Sequence, residues 1–71
     1  AKIPVPPRLV GRSIREARIR EETGVSVVAI ERVDASGRER RLAPEPETVL
    51  KRGDMIVVLG EDAAIERLKS G

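Results

Sequence analysis

Apolar positions recur with different periods along the chain, and each period predicts a different element. From Val25 to Ile30 they are β-branched and nearly continuous, interrupted only by Ser26, as in a central strand covered on both faces. Met55-Ile56-Val57-Val58-Leu59 repeats the pattern and predicts a second buried strand. Lys51-Arg52-Gly53-Asp54 introduces it as a turn with Gly53 at positive φ, and Gly60 closes it. Ala64, Ile65 and Leu68 form one stripe at helical spacing, predicting a helix over Ala63–Lys69 with Asp62 as its cap and Lys69 suited to its C-terminal dipole.

Polar and breaker residues set the remaining boundaries. Ile3-Pro4-Val5-Pro6-Pro7 cannot lie inside a sheet, because proline lacks the donor a ladder requires, so residues 1–8 read as an edge strand or an extended lead-in. Ser13-Ile14-Arg15-Glu16 is a capping box, which starts a helix at Ile14. Ile14 and Ala17 share a face of that helix, but Ile19 lies about 140° round from Ile14. Either the helix breaks into a second short turn, or Ile19 serves a separate surface such as a dimer contact. Gly24 ends the helical stretch. Asp34-Ala35-Ser36-Gly37 is turn chemistry that returns Arg38 to Leu42 as a polar partner strand, and Pro44 and Pro46 end the pairing. The order β-α-β-β-β-α predicts a single α+β domain with a mixed or antiparallel sheet, its main unit spanning residues 9–71.

Size and composition add a partner. The 71 residues are 39% hydrophobic without one aromatic side chain, and a chain this short buries only about 60% of its unfolded surface. A homodimer is therefore expected, with Ile19 as the chosen interface residue. No apolar run approaches the roughly 20 residues needed to cross a bilayer. No charged start with an apolar stretch and cleavage site marks the chain for export. Asn, Gln, His and Cys are all absent, which resembles the avoidance of thermolabile residues in heat-adapted proteins.

Charge is nearly balanced overall, with 14 basic and 12 acidic residues, but it is unevenly placed. Arg8, Arg12, Arg15, Arg18 and Arg20 stand against Glu16 alone, while the chain beyond Leu42 carries an acidic excess. One end of the domain is thus expected to attract anions. Without His or Cys there is no nucleophile–histidine catalysis, and transition-metal sites lose their usual ligands. Glu45, Glu47, Asp54, Glu61 and Asp62 read as a solvated acidic surface rather than as an acid/base pair, so no enzyme is expected. Gly11, Gly24 and Gly60 match neither the dinucleotide fingerprint nor the Walker spacing. The arginine-rich stretch suits a solvated helix face, a nucleic acid or a small anionic ligand. The lack of aromatic and histidine side chains removes the stacking platforms of single-strand binders, whereas a compact phosphate ligand needs only arginines and apolar walls, here Ile14, Ile19 and Val27.

Two ordered segments resemble a known family. Leu9 to Arg20 followed by Thr23 to Arg32, and Pro44 to Gly60 with its Gly53-Asp54 before an aliphatic strand, are similar to the C-terminal regulator-of-conductance domain, RCK-C or TrkA-C, of potassium and other cation transport systems. The resemblance implies a dimerising regulatory domain without catalytic residues or cofactors, on the cytoplasmic face of a membrane channel or transporter assembly. It also implies a nucleotide effector, cyclic di-AMP in several members, at the two-fold between paired domains. By position in the motif, Ile19 and Arg20 match the aliphatic–arginine pair of those sites, Ile14, Val27 and Pro44 are walls, and Ser26 stands where an amide side chain often contacts ligand. Arg15 and Arg18 depart from the family pattern, as does Ser26. The alternative is a small dimeric DNA-binding domain of swapped-hairpin type, suggested by Lys2-Ile3-Pro4-Val5-Pro6 and the arginine cluster. Nucleic acid is the less expected partner.

Overall fold

A 3-10 turn at Pro7–Leu9 precedes Ser13, which caps the first α-helix. In this computed structural model, which describes residues 1–70, Ser13 Oγ accepts the Glu16 amide at 3.1 Å and Glu16 Oε1 accepts the Ser13 amide at 3.0 Å. The domain end drawn at Gly71 lies outside the described residues. The next two amides, which no helix can satisfy internally, go to a distant loop. Ile14 donates to the Thr48 carbonyl at 2.9 Å and Arg15 to the Pro46 carbonyl at 3.0 Å. Gly11 N–Leu50 O and Leu50 N–Arg12 O, both 2.8 Å, extend this antiparallel pairing. Residues 11–15 and 46–50 are thereby clamped together.

Helix α1 (Ile14–Ala17) lasts about one turn. Arg18 then adopts a left-handed conformation, φ 48° and ψ 40°, and α2 (Ile19–Thr23) follows, stopped by Gly24 at φ 80°. Of the two outcomes open for Ile19, the break is the one that occurs. It turns Ile19 into the core, where it is 4% exposed, so its assignment as a dimer contact is corrected.

The strands are β1 (Lys2–Pro4), β2 (Ser26–Val33), β3 (Glu39–Leu42) and β4 (Met55–Leu59), and the chain closes with α3 (Asp62–Ser70). They form one antiparallel sheet in the order β1-β4-β2-β3, with the proline-bearing β1 at an edge, where its missing donors cost no ladder bond. Asp62 is the first residue of α3 and stands inside its first turn, where a carboxylate suits the dipole, rather than capping it from outside. The β2–β3 turn is tied by Asp34, whose Oδ1 accepts the Ser36 hydroxyl at 2.6 Å and the Ser36 and Arg38 amides.

Register decides which apolar residues are buried. Ile3, Ile56 and Ile30 are consecutive partners across β1, β4 and β2, and with Val58 they face Leu9, Ile19, Val25, Leu50, Ala64 and Leu68 in one core. The opposite sheet face is not covered. β2 starts at Ser26, one residue later than expected, and a register shift between Val27 and Ala29 leaves Val28 49% exposed, with Leu59 at 66%. The expectation of a strand covered on both faces therefore fails in the single chain, because all the helices pack on one side.

Candidate functional site

The clamp between residues 11–15 and 46–50 brings the proline segment beside α1 and α2. Between them lies an open cavity of about 390 Å³ lined by Ile14, Arg15, Ile19, Arg20, Glu21, Val25, Ser26, Val27, Pro44 and Pro46. All six candidate ligand residues, Ile14, Ile19, Arg20, Ser26, Val27 and Pro44, stand on its wall. Sequence reasoning did not place Arg15, Glu21, Val25 and Pro46 there. Pro46 and Arg15 share a wall because they share a backbone hydrogen bond, for which the local sequence carries no signal.

The wall has a division of labour set by burial. Ile19 and Val25 form its floor from the core, Ile14 and Val27 are half-buried, and Arg20 is exposed. Among the described residues, the Arg20 guanidinium has no ion-pair partner. Arg15 Nη2 lies 3.6 Å from Oε1 of Glu47, which follows the lining Pro46. An apolar floor with guanidinium groups above it is chemistry for a ligand that has flat apolar parts and a negative charge.

A second concavity, of about 380 Å³, is bordered by Arg32, Lys51, Arg52, Gly53 and Asp54. Here the charges satisfy one another. Asp54 is 2% exposed and accepts Arg32 Nε at 2.9 Å, Arg32 Nη2 at 2.7 Å and the Lys51 amide at 2.9 Å. Burial pushes its pKa up, but the Arg32 and Lys51 hydrogen bonds and nearby positive charge outweigh that, and the net value is below the usual one. The reading of Asp54 as solvated acidic surface is corrected, because Arg32, 22 residues away, is brought beside it by the β2–β4 register. Gly53, at φ 89°, gives the turn that presents this carboxylate. Among the described residues, no group of three or more acidic side chains is placed to hold a metal ion, and no helix is long and apolar enough to cross a membrane.

The fold is thus a small antiparallel sheet with helices on one face and an open apolar cavity bordered by Arg15 and Arg20. The TrkA-C domain model matches residues 1–70, and the chain belongs to that family. It is 31% identical over 62 residues to an uncharacterized transporter of Rhodopirellula baltica, covering 87% of this chain and 11% of that protein. It is also 31% identical over 61 residues to potassium channel protein 1 of Methanocaldococcus jannaschii, covering 86% and 17% respectively. The chain thus spans a small part of the proteins it matches. Among solved structures, the RCK_C domain dimer of S. agalactiae BusR in complex with c-di-AMP has a TM-score of 0.79 at 30% identity, over 99% of this chain and 90% of that one. The KtrA RCK C domain in complex with c-di-AMP gives 0.80 at 25%, over 97% and 76%. The GsuK RCK domain gives 0.74 at 33%, over 93% and 14%.

Proposed function

We propose that this domain pairs with a second copy, binds cyclic di-AMP across the two-fold, and so regulates a potassium or other cation transport protein at the cytoplasmic face of the membrane. The observation that carries this reading is the cavity, in which an exposed Arg20, without an ion-pair partner among the described residues, shares the wall with Ile14, Ile19, Val27 and Pro44. Cyclic di-AMP is itself two-fold symmetric. Each chain of a dimer offers one arginine to one phosphate and one set of aliphatic walls to one adenine. Ser26, at the start of β2, is a hydroxyl contact for the base or ribose. The c-di-AMP complexes of BusR and KtrA support the choice of ligand. In this role the domain is a switch and not an enzyme.

Titration calorimetry with cyclic di-AMP tests the reading. One ligand per two chains is expected, and Arg20→Ala, which removes a charge-assisted hydrogen bond from both chains, is expected to weaken binding by about 3–6 kcal/mol, or two to four decades. Arg12→Ala, outside the cavity, serves as the charge control. An affinity indifferent to Arg20→Ala overturns the site.

A second setting for the same domain is a DNA-bound protein, since BusR is also solved in complex with its busAB promoter DNA and this chain covers 33% of that one. The swapped-hairpin alternative is less favoured, because the family model matching residues 1–70 is the TrkA-C domain and both BusR and KtrA domains of this fold are solved with c-di-AMP.

A further inference from the structure

The cavity rim carries a contact that neither the walls nor Arg20 explain. Arg15, the second residue of α1, lines the cavity, and its guanidinium lies 3.6 Å from the carboxylate of Glu47, the residue after the lining Pro46. The separation is longer than a hydrogen bond, and the side chains are 72% and 77% exposed. Ion pairs of this kind are weak and easily exchanged. The backbones beneath them are not free, because the Arg15 amide donates to the Pro46 carbonyl at 3.0 Å. Only the two side chains have to turn for the contact to open.

We infer that Arg15 is a second, specificity-determining cation of the effector site, held by Glu47 when the cavity is empty and transferred to the ligand's phosphate when it is filled. The inference rests on the effector-binding reading above and deepens it. A guanidinium offered a phosphate gains paired, short, charge-assisted bonds in place of one long contact to a hydrated carboxylate. Glu47 is therefore an internal competitor of the ligand. It raises the anionic charge a ligand needs before Arg15 lets go, which discriminates against neutral nucleosides and favours a ligand with two phosphates that meets Arg15 and Arg20 from each chain.

A double-mutant cycle read by calorimetry with cyclic di-AMP decides the matter, using the full chain and salt held constant. Glu47→Gln, which keeps the shape and removes the competitor, is expected to tighten binding about three- to tenfold, both chains of the dimer contributing. Arg15→Ala is expected to weaken it about tenfold or more. In the Arg15→Ala background, Glu47→Gln is expected to have no effect beyond about twofold, because nothing remains for the carboxylate to hold. Glu45→Gln, an exposed carboxylate on the same segment with no partner among the described residues, controls for loss of negative charge. Equal tightening by Glu47→Gln with and without Arg15, or an affinity indifferent to Arg15→Ala while Arg20→Ala still abolishes binding, overturns this inference and leaves the effector site standing. Failure of cyclic di-AMP to bind the unmutated chain and Glu47→Gln alike overturns both.

Discussion

One guanidinium occupies both oxygens of the Asp54 carboxylate: Arg32 Nε and Nη2 donate to Oδ1 and Oδ2 at 2.9 and 2.7 Å, and Nη2 also reaches the Val49 carbonyl at 2.8 Å. This pair joins β2, the turn before β4 and the end of the clamp that carries the cavity wall. Asp54→Ala leaves the Lys51 amide and the Arg32 fork without their acceptor. Arg32 is 25% exposed and can be partly rehydrated, so the cost falls below that of a fully buried pair, at about 2–3 kcal/mol. In a domain of this size that is a large share of the stability. Urea unfolding of the variant with an unchanged midpoint would show the pair to be ornamental.

Acid is expected to weaken the fold, and neutral pH to leave it unchanged. Asp34 is held at about 2 by the Ser36 hydroxyl, Arg40 and the Arg38 amide, and the net shift of Asp54 is in the same direction. For carboxyls depressed in the folded state, the stabilisation is complete above their unfolded pKa of about 3.9. It is lost as pH falls through the folded values. With no histidine in the chain, the melting temperature should stay flat from about pH 5.5 to 8 and fall between about 4 and 2. Asp34→Asn should shrink that fall; an unaltered acid limb would assign it elsewhere.

Arg18 separates two helices at a left-handed angle that side chains other than glycine adopt at some cost. Its ion pair to Glu22 at 3.8 Å is solvent-exposed and contributes little. Arg18→Gly relieves the backbone while loosening the unfolded chain, for a net gain of about 0–1 kcal/mol. Arg18→Val is expected to lose about 1–2 kcal/mol. Thermal melts that rank valine above glycine would contradict the break.

Ile19 and Arg20 are neighbours with opposite duties, which thermal and binding measurements should separate. Ile19→Ala removes buried volume and should cost about 2–4 kcal/mol of stability. Ile19→Glu, placing a carboxylate in the core, is expected to unfold the chain rather than produce a folded monomer. Arg20→Ala should change stability by no more than about 0.5 kcal/mol. A folded, monomeric Ile19→Glu protein by sedimentation would return Ile19 to a subunit interface.

Much of the architecture was written in short-range chemistry. The capping box at Ser13 and Glu16, the stop at Gly24 and the turn at Gly53 depend on hydrogen bonds and φ preferences within about four residues, and the two aliphatic strands are marked by β-branched side chains along their own length, so all are readable without knowing the rest of the fold. The family resemblance was carried by the same segments, together with the candidate residues Ile14, Ile19, Arg20, Ser26, Val27 and Pro44. Tertiary structure alone decided the longer-range matters. Ile19 turned inward because Arg18 left the helical path, and Asp54 was buried because the sheet register set Arg32 beside it. Val28 stayed exposed because the helices all packed on the other face. Arg15 met Glu47 because the orphan amides at the start of α1 took their acceptors from a segment some thirty residues further on. Such pairings answer to which strands lie side by side, a property of the whole chain that no local pattern encodes.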